Sequence, residues 1–130
     1  MADDARFTFT KILVDDLEAE AAFYSTVLGL VEKHRVAGGE GTGAYSQSIM
    51  CCADSDEPSL LLLKLLHREA PTPGEAVLGF AVADVDEVVR ATETAGGSVS
   101  SGPRSLPQHG LRIAHVKDPE GHLLELVQRL

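Results

Sequence analysis

The most constraining feature of this chain is that it repeats itself. Shifting it by 68 residues lays Val14-Asp15-Asp16-Leu17 over Val82-Ala83-Asp84-Val85, Gly29 over Gly97 and Val31 over Val99. Both copies read alike: a short strand, an Asp, a helix of about three turns, a Gly, then another strand. A unit of about 65 residues buries too small a share of its surface to be robust alone. The two halves are therefore expected to depend on each other.

The helix signals recur in both halves. Asp16 can cap a helix over Leu17–Leu28, because its carboxylate accepts the free N–H groups of the first turn. Glu18 and Glu20 favour the positive helix end. Leu17, Ala21, Tyr24 and Leu28 form an apolar face, and Gly29 supplies the left-handed stop. In the second half Asp84 is the cap. Val85, Val88, Val89, Thr92 and Ala95 form the buried side, and Gly96-Gly97 the stop. Strands are expected over Phe7–Val14, Val31–Val36, Ala44–Cys51 and Leu60–Leu66, and over Val77–Val82, Gly97–Ser100, Leu111–Lys117 and His122–Gln128. Asp118-Pro119-Glu120-Gly121 reads as the turn of the last hairpin, with Ala53–Ser59 as a looser counterpart. The chain is thus an α+β protein of two tandem β-α-β-β-β modules in one domain, 1–130. Module one covers 6–66, a Pro-bearing linker 67–74, and module two 75–130.

Composition removes several function classes. Hydrophobic residues make up 44% and charged residues 24%, the mix of a soluble globular chain. The longest apolar run, Leu60–Leu66, is broken by Lys64 and falls short of the roughly 18–20 residues that span a bilayer, so no membrane role is expected. The start, MADDARF, has no charged-then-apolar leader, which points to the cytoplasm. A net charge of −9 with scattered Lys and Arg argues against nucleic acid. The neighbours Cys51 and Cys52 read as reduced thiols, and without CxxC spacing they make no zinc site. The stretch Gly38–Gly43 precedes no helix, so it reads as a flexible loop and not as a phosphate cradle.

Three segments carry a family resemblance: VDDLEAEAAFYSTVLGLV (14–31), VADVDEVVRATETAGGSV (82–99) and VKDPEGHLLELVQ (116–128). They resemble the vicinal oxygen chelate superfamily, which includes glyoxalase I, bleomycin- and fosfomycin-resistance proteins and extradiol dioxygenases. The resemblance implies paired modules whose curved mixed sheets enclose a cavity. It also implies a divalent metal held by a His or Gln on the first strand of each module and a Glu on the last strand of each. Two-module chains of this kind commonly pair, so a homodimer is the expected state.

Placed on this chain, the first-strand ligand positions, seven residues before Asp16 and Asp84, are Phe9 and Val77. Neither can bind a metal. Module two keeps its last-strand carboxylate as Glu125. Its counterpart in module one is expected at Leu62 or Lys64. Three of the four ligands are therefore missing, and one Glu does not hold a catalytic ion. Glu125 in an apolar strand needs a wet cavity or a partner, such as Lys64 or a cationic ligand. His115 and Arg112 lie on opposite faces of one strand, and the pattern leaves open which faces the cavity. Tyr45 and Gln47 are further lining candidates from module one. His122 is expected to pack by the Asp-Pro-Glu-Gly turn, and His34, His67 and His109 to sit in loops or at strand ends.

The function expected is therefore binding of a small organic molecule in the cavity, walled by Phe9, Leu62 and Val77, with no cofactor. One alternative is a metal-dependent lyase, isomerase or dioxygenase with Glu125 among its ligands. Another is a metal-free isomerase with Glu125 or His115 as base.

Overall fold

The computed structural model describes residues 3–130. In chain order the elements are β1 (Thr10–Leu13), α1 (Leu17–Leu28), β2 (Val31–Gly38), β3 (Tyr45–Cys51), β4 (Pro58–Leu65), β5 (Val77–Ala81), α2 (Val85–Thr94), β6 (Ser98–Leu106), β7 (Leu111–Lys117) and β8 (Leu123–Arg129). The order β-α-β-β-β occurs twice. Each run makes one four-stranded sheet, β1-β4-β3-β2 and β5-β8-β7-β6. The first strand of each sheet pairs in parallel with the last, and the other pairs are antiparallel. This is the expected α+β arrangement of two mixed sheets.

The helix boundaries follow from their caps. Asp16 accepts the Ala19 N–H at 3.0 Å, and Asp84 accepts the Glu87 N–H at 3.2 Å. Gly29 ends α1 at φ +72°, a backbone conformation that side chains disfavour. Gly97 follows α2 for a different reason. A Cβ there would lie 2.4 Å from the Lys117 carbonyl oxygen and 2.7 Å from Thr92 Cγ2. Only a bare Cα lets the chain pass between helix and sheet.

Some strand ends differ from expectation. β1 begins at Thr10 and not at Phe7, and its parallel pairing with β4 opens with Thr10 opposite Leu60. β2 continues to Gly38, which lies opposite Tyr45, so the glycine-rich stretch yields its first residue to the ladder. The remainder folds into one tight helical turn over Gly41–Gly43. β6 runs to Leu106, well past Ser100, even though it contains Pro103. It is an edge strand with two register shifts, and both features tolerate a missing N–H.

One hydrophobic core spans both halves. Val14, Leu17, Tyr24, Met50, Leu60 and Leu62 from the first meet Val85, Val89, Ala114, Val116, Leu124 and Leu126 from the second. Each fully buried Leu contributes roughly 2 kcal/mol through the loss of hydrated apolar surface. The ring of Tyr24 stacks on Phe80 of β5 with centroids 6.3 Å apart, so α1 packs on the other module as well as its own. That is why its buried set, which includes Glu20 and Phe23, is wider than one apolar stripe.

The core occupies the helix-covered face of each sheet. Strand alternation sends the intervening residues to the opposite, uncovered face. In sheet one these are Gln47, Ile49, Leu61 and Leu63; in sheet two they are Ile113, His115, Leu123, Glu125 and Val127. Among the described residues no helix is long and apolar enough to cross a membrane.

Candidate functional site

The two modules can be overlaid through their parallel pairs. Thr10 pairs with Leu60 and Lys11 with Leu61; the equivalent pairs are Leu78 with Leu124 and Gly79 with Glu125. The counterpart of Glu125 is therefore Leu61. It is neither Leu62 nor Lys64, as spacing suggested. Leu62 is fully buried in the core, and Lys64 binds the Asp15 carbonyl and carboxylate beside α1. The longer connections of module one displace the simple repeat, so register and not spacing sets the equivalence. The four equivalent positions are Phe9, Leu61, Val77 and Glu125. Only Glu125 offers a lone pair.

Glu125 does not lie on an edge. β8 sits between β5 and β7, and Glu125 pairs across to His115, whose Nε2 lies 3.0 Å from Oε1. This is a half-exposed polar pair on the uncovered face of sheet two. Arg112 points the other way and does not join it. Its guanidinium forms a two-pronged pair with Asp86 of α2 at 2.8 and 2.9 Å, which ties helix to sheet. In module one Arg35 also ties strand to helix, but through one nitrogen to Glu18 of α1 while its Nε donates to Glu32. The position equivalent to His115 is Ile49, so the polar pair of module two is an Ile–Leu pair in module one.

Tyr45 and Gln47 stand together on β3 in sheet one. Tyr45 packs its ring across Gly38. Gln47 is buried opposite Val36 and Leu63, and its Oε1 has no hydrogen-bond partner. A cleft of about 560 Å³ opens at the junction of the modules, between β1 and β5. Thr10, Leu30, Cys52, Leu60, Val77 and Phe80 are among its walls. Of the residues expected at a cavity, only Val77 lines it. Phe9 stands ahead of β1, 43% exposed, with the Lys11 ammonium 5.8 Å from its ring centroid.

Sequence reasoning missed a second cluster. Glu20, Asp118 and His122 place ligand-capable atoms within 4.8 Å of one another where the modules meet. Asp118 Oδ2 accepts the Tyr24 hydroxyl at 2.7 Å and lies 2.8 Å from His122 Nδ1. Its Oδ1 accepts the backbone N–H groups of Glu120 and His122. Glu120 in turn accepts the N–H groups of Asp15 and Asp16. The DPEG turn of module two is therefore bolted to the start of α1. Packing of His122 by this turn agrees with expectation. Glu20, read from sequence only as a first-turn acid favouring the positive helix end, is fully buried. Its place three residues from Leu17 and four from Tyr24, on their face, was the available signal. Of the other histidines, His34 lies inside β2, exposed, and not at a strand end.

Burial pushes the Glu20 carboxyl up to about 8. Burial also raises Asp118, but the polar hydrogens of His122, of a protonated Glu20 and of Tyr24 outweigh it and hold that carboxyl below the usual carboxylate range. Asp118, then Glu20, push His122 up to about 10. Burial, with the Asp118 charge beside it, raises the Tyr24 phenol well above its ordinary value.

Comparison with known proteins agrees with this architecture. A lactoylglutathione lyase of Arabidopsis thaliana is 28% identical over 98% of this chain and 45% of its own length. A probable lactoylglutathione lyase of Vibrio cholerae is 27% identical over 95% of this chain and 90% of its own. The chain thus spans about half the length of the plant relatives and nearly all of the bacterial one. The crystal structure of a glyoxalase family protein from Bacillus cereus superposes with a TM-score of 0.82 at 24% identity, covering 100% of this chain and 99% of that one. A glyoxalase I mutant from Zea mays gives 0.76 at 24% identity, over 93% of this chain and 46% of that one. These structural likenesses show a shared fold. The superfamily's sequence pattern matches residues 6–126, and the chain belongs to the Glyoxalase/Bleomycin resistance protein/Dioxygenase superfamily.

Proposed function

We propose that this protein binds a small organic molecule in the cleft between its modules, with no catalytic divalent metal at Glu125. One observation carries the reading. Val77 stands where the resemblance implies a metal ligand, and it lines an apolar cleft of about 560 Å³ instead. That volume suits a small organic ligand, and Thr10, Cys52 and Ser59 supply the few polar groups that would orient it. The donor set supports the same reading. Phe9, Leu61 and Val77 have no lone pair, and Glu125 with His115 gives too few donors for a stable catalytic centre.

A thermal-shift screen of the full chain tests this. Gly79 lines the cleft, and a Cβ there would meet nothing within 4 Å, so Gly79→Leu starts its side chain in open space and occupies part of the cleft. Compounds that stabilise the wild type are expected to lose their effect on Gly79→Leu. A screen in which no compound class raises the Tm contradicts the proposal.

The competing reading is a metal-dependent lyase, isomerase or dioxygenase, favoured by the relatives named lactoylglutathione lyase. It requires a bound ion that is lost in Glu125→Ala. A metal-free isomerase is a third reading, favoured by the His115–Glu125 contact of 3.0 Å. It requires an activity that survives chelators and disappears in Glu125→Gln.

A further inference from the structure

The cluster at the module junction has a charge problem. Asp118 and Glu20 bring two carboxylates to a place where both side chains are fully buried, and the His122 side chain is only 10% exposed. Neither oxygen of Glu20 makes a hydrogen bond of good geometry, and His122 Nδ1 stands 3.5 Å from Oε2. A buried, unpartnered carboxylate is expensive. Two positive charges are needed among these groups, and either two protons or one divalent cation can supply them.

The surrounding hydrogen bonds prepare the site for a cation. His122 Nε2 lies 3.1 Å from the Leu13 carbonyl oxygen, which can only accept, so Nε2 carries a proton. In the neutral ring this leaves the Nδ1 lone pair directed at Asp118 and Glu20. A metal-binding histidine has the same arrangement: one nitrogen ligates while the other donates to a backbone carbonyl. Asp118 is fixed by donors of its own, from Tyr24, Glu120 and the His122 backbone. The ligand atoms are suitably spaced. Nδ1 lies 3.5 Å from Glu20 Oε2 and 2.8 Å from Asp118 Oδ2, a hydrogen-bond distance that must open by about 0.5 Å when an ion replaces the proton between them. A tetrahedral ion with bonds near 2.0 Å has ligand–ligand edges of about 3.3 Å.

We propose that Glu20, Asp118 and His122 form a binding site for a divalent first-row transition metal that ties α1 of module one to the DPEG turn of module two. The donor set, one imidazole and two carboxylates, suits such ions better than the oxygen-only cages of calcium. The role is structural. The site lies in the interior, away from the His115–Glu125 face, and does not depend on the ligand-binding reading above.

The test uses the full chain, stripped with a chelator and titrated with Co²⁺ alone. Visible d–d absorption should appear at one ion per chain, and the Tm should rise by about 5 °C or more at saturation. Glu20→Gln copies the shape of a protonated Glu20 and keeps the fold, as circular dichroism would verify. It should abolish the absorption and most of the Tm rise. Glu125→Ala should leave both intact. The proposal is overturned if stripped wild type shows neither absorption nor stabilisation with Co²⁺, which means protons alone fill the cluster. It is also overturned if Glu20→Gln binds Co²⁺ as well as wild type, or if Glu125→Ala removes the signal.

Discussion

The two modules share one backbone plan and spend their polar residues differently. Module two carries His115 and Glu125 on its uncovered face, where module one has Ile49 and Leu61. Its DPEG turn sends Asp118, Glu120 and His122 into module one, reaching Tyr24, Asp15, Asp16 and the Leu13 carbonyl. Module two therefore supplies most of the polar groups of the junction, while module one adds Glu20 and the Tyr24 hydroxyl from the broad buried face of α1. A repeated fold constrains strand order and helix caps; it leaves each half free to keep or lose its chemistry.

The largest effect should come from breaking the junction. Asp118→Ala strands the Tyr24 hydroxyl, two backbone N–H groups and the His122 ring. Urea denaturation should show a loss of about 3–5 kcal/mol. The helix exits provide the next contrast. Gly97→Ala forces a Cβ to within 2.4 Å of a backbone oxygen, so it should cost about 2–3 kcal/mol. Gly29→Ala meets no atom within 4 Å and suffers only the positive φ, so about 1 kcal/mol is expected. Equal costs at the two glycines would contradict the close approach at Gly97.

The junction also predicts a pH dependence for the metal-stripped chain. Glu20 is raised from 4.5 to about 8, so its stabilising contribution is complete below pH 4.5 and lost as pH rises through 8. His122, raised from 6.5 to about 10, contributes fully below pH 6.5 and loses that contribution as pH rises through 10. Asp118 is depressed and has the opposite sign. Its contribution is present above 3.8 and lost as pH falls. Denaturation midpoints should decline from pH 6 to pH 10, and more gently in Glu20→Gln. A flat profile would refute the buried-cluster description.

The smallest stability effect should come from making the uncovered faces alike. The double variant His115→Ile with Glu125→Leu gives module two the Ile–Leu pair of module one. Both side chains are partly exposed, so stability should change by less than about 1 kcal/mol. A larger loss would mean that the pair helps to hold sheet two together.

Much of this comparison was legible in the sequence. The 68-residue shift, Asp16 and Asp84 as caps, and the DPEG turn act through neighbours in sequence, so local rules find them. What escaped depends on distant partners. Leu61, and not Leu62, matches Glu125 because β4 pairs in parallel with β1. Arg112 faces α2 because Asp86 waits there. Glu20 shares the face of Leu17 and Tyr24, so its position was legible, but the partners that make burial of a carboxyl tolerable, Asp118 and His122, come from the other module. β6 outran its expected end because edge strands tolerate proline.

The central claim is that the cleft between the modules binds an organic ligand without a metal at Glu125. Its most direct test is a thermal-shift titration of a stabilising compound into chelator-treated protein, wild type beside Gly79→Leu. Stabilisation of the metal-free wild type that disappears in Gly79→Leu is the predicted result. Stabilisation that appears only after a divalent metal is added back, and is lost in Glu125→Ala, would contradict it.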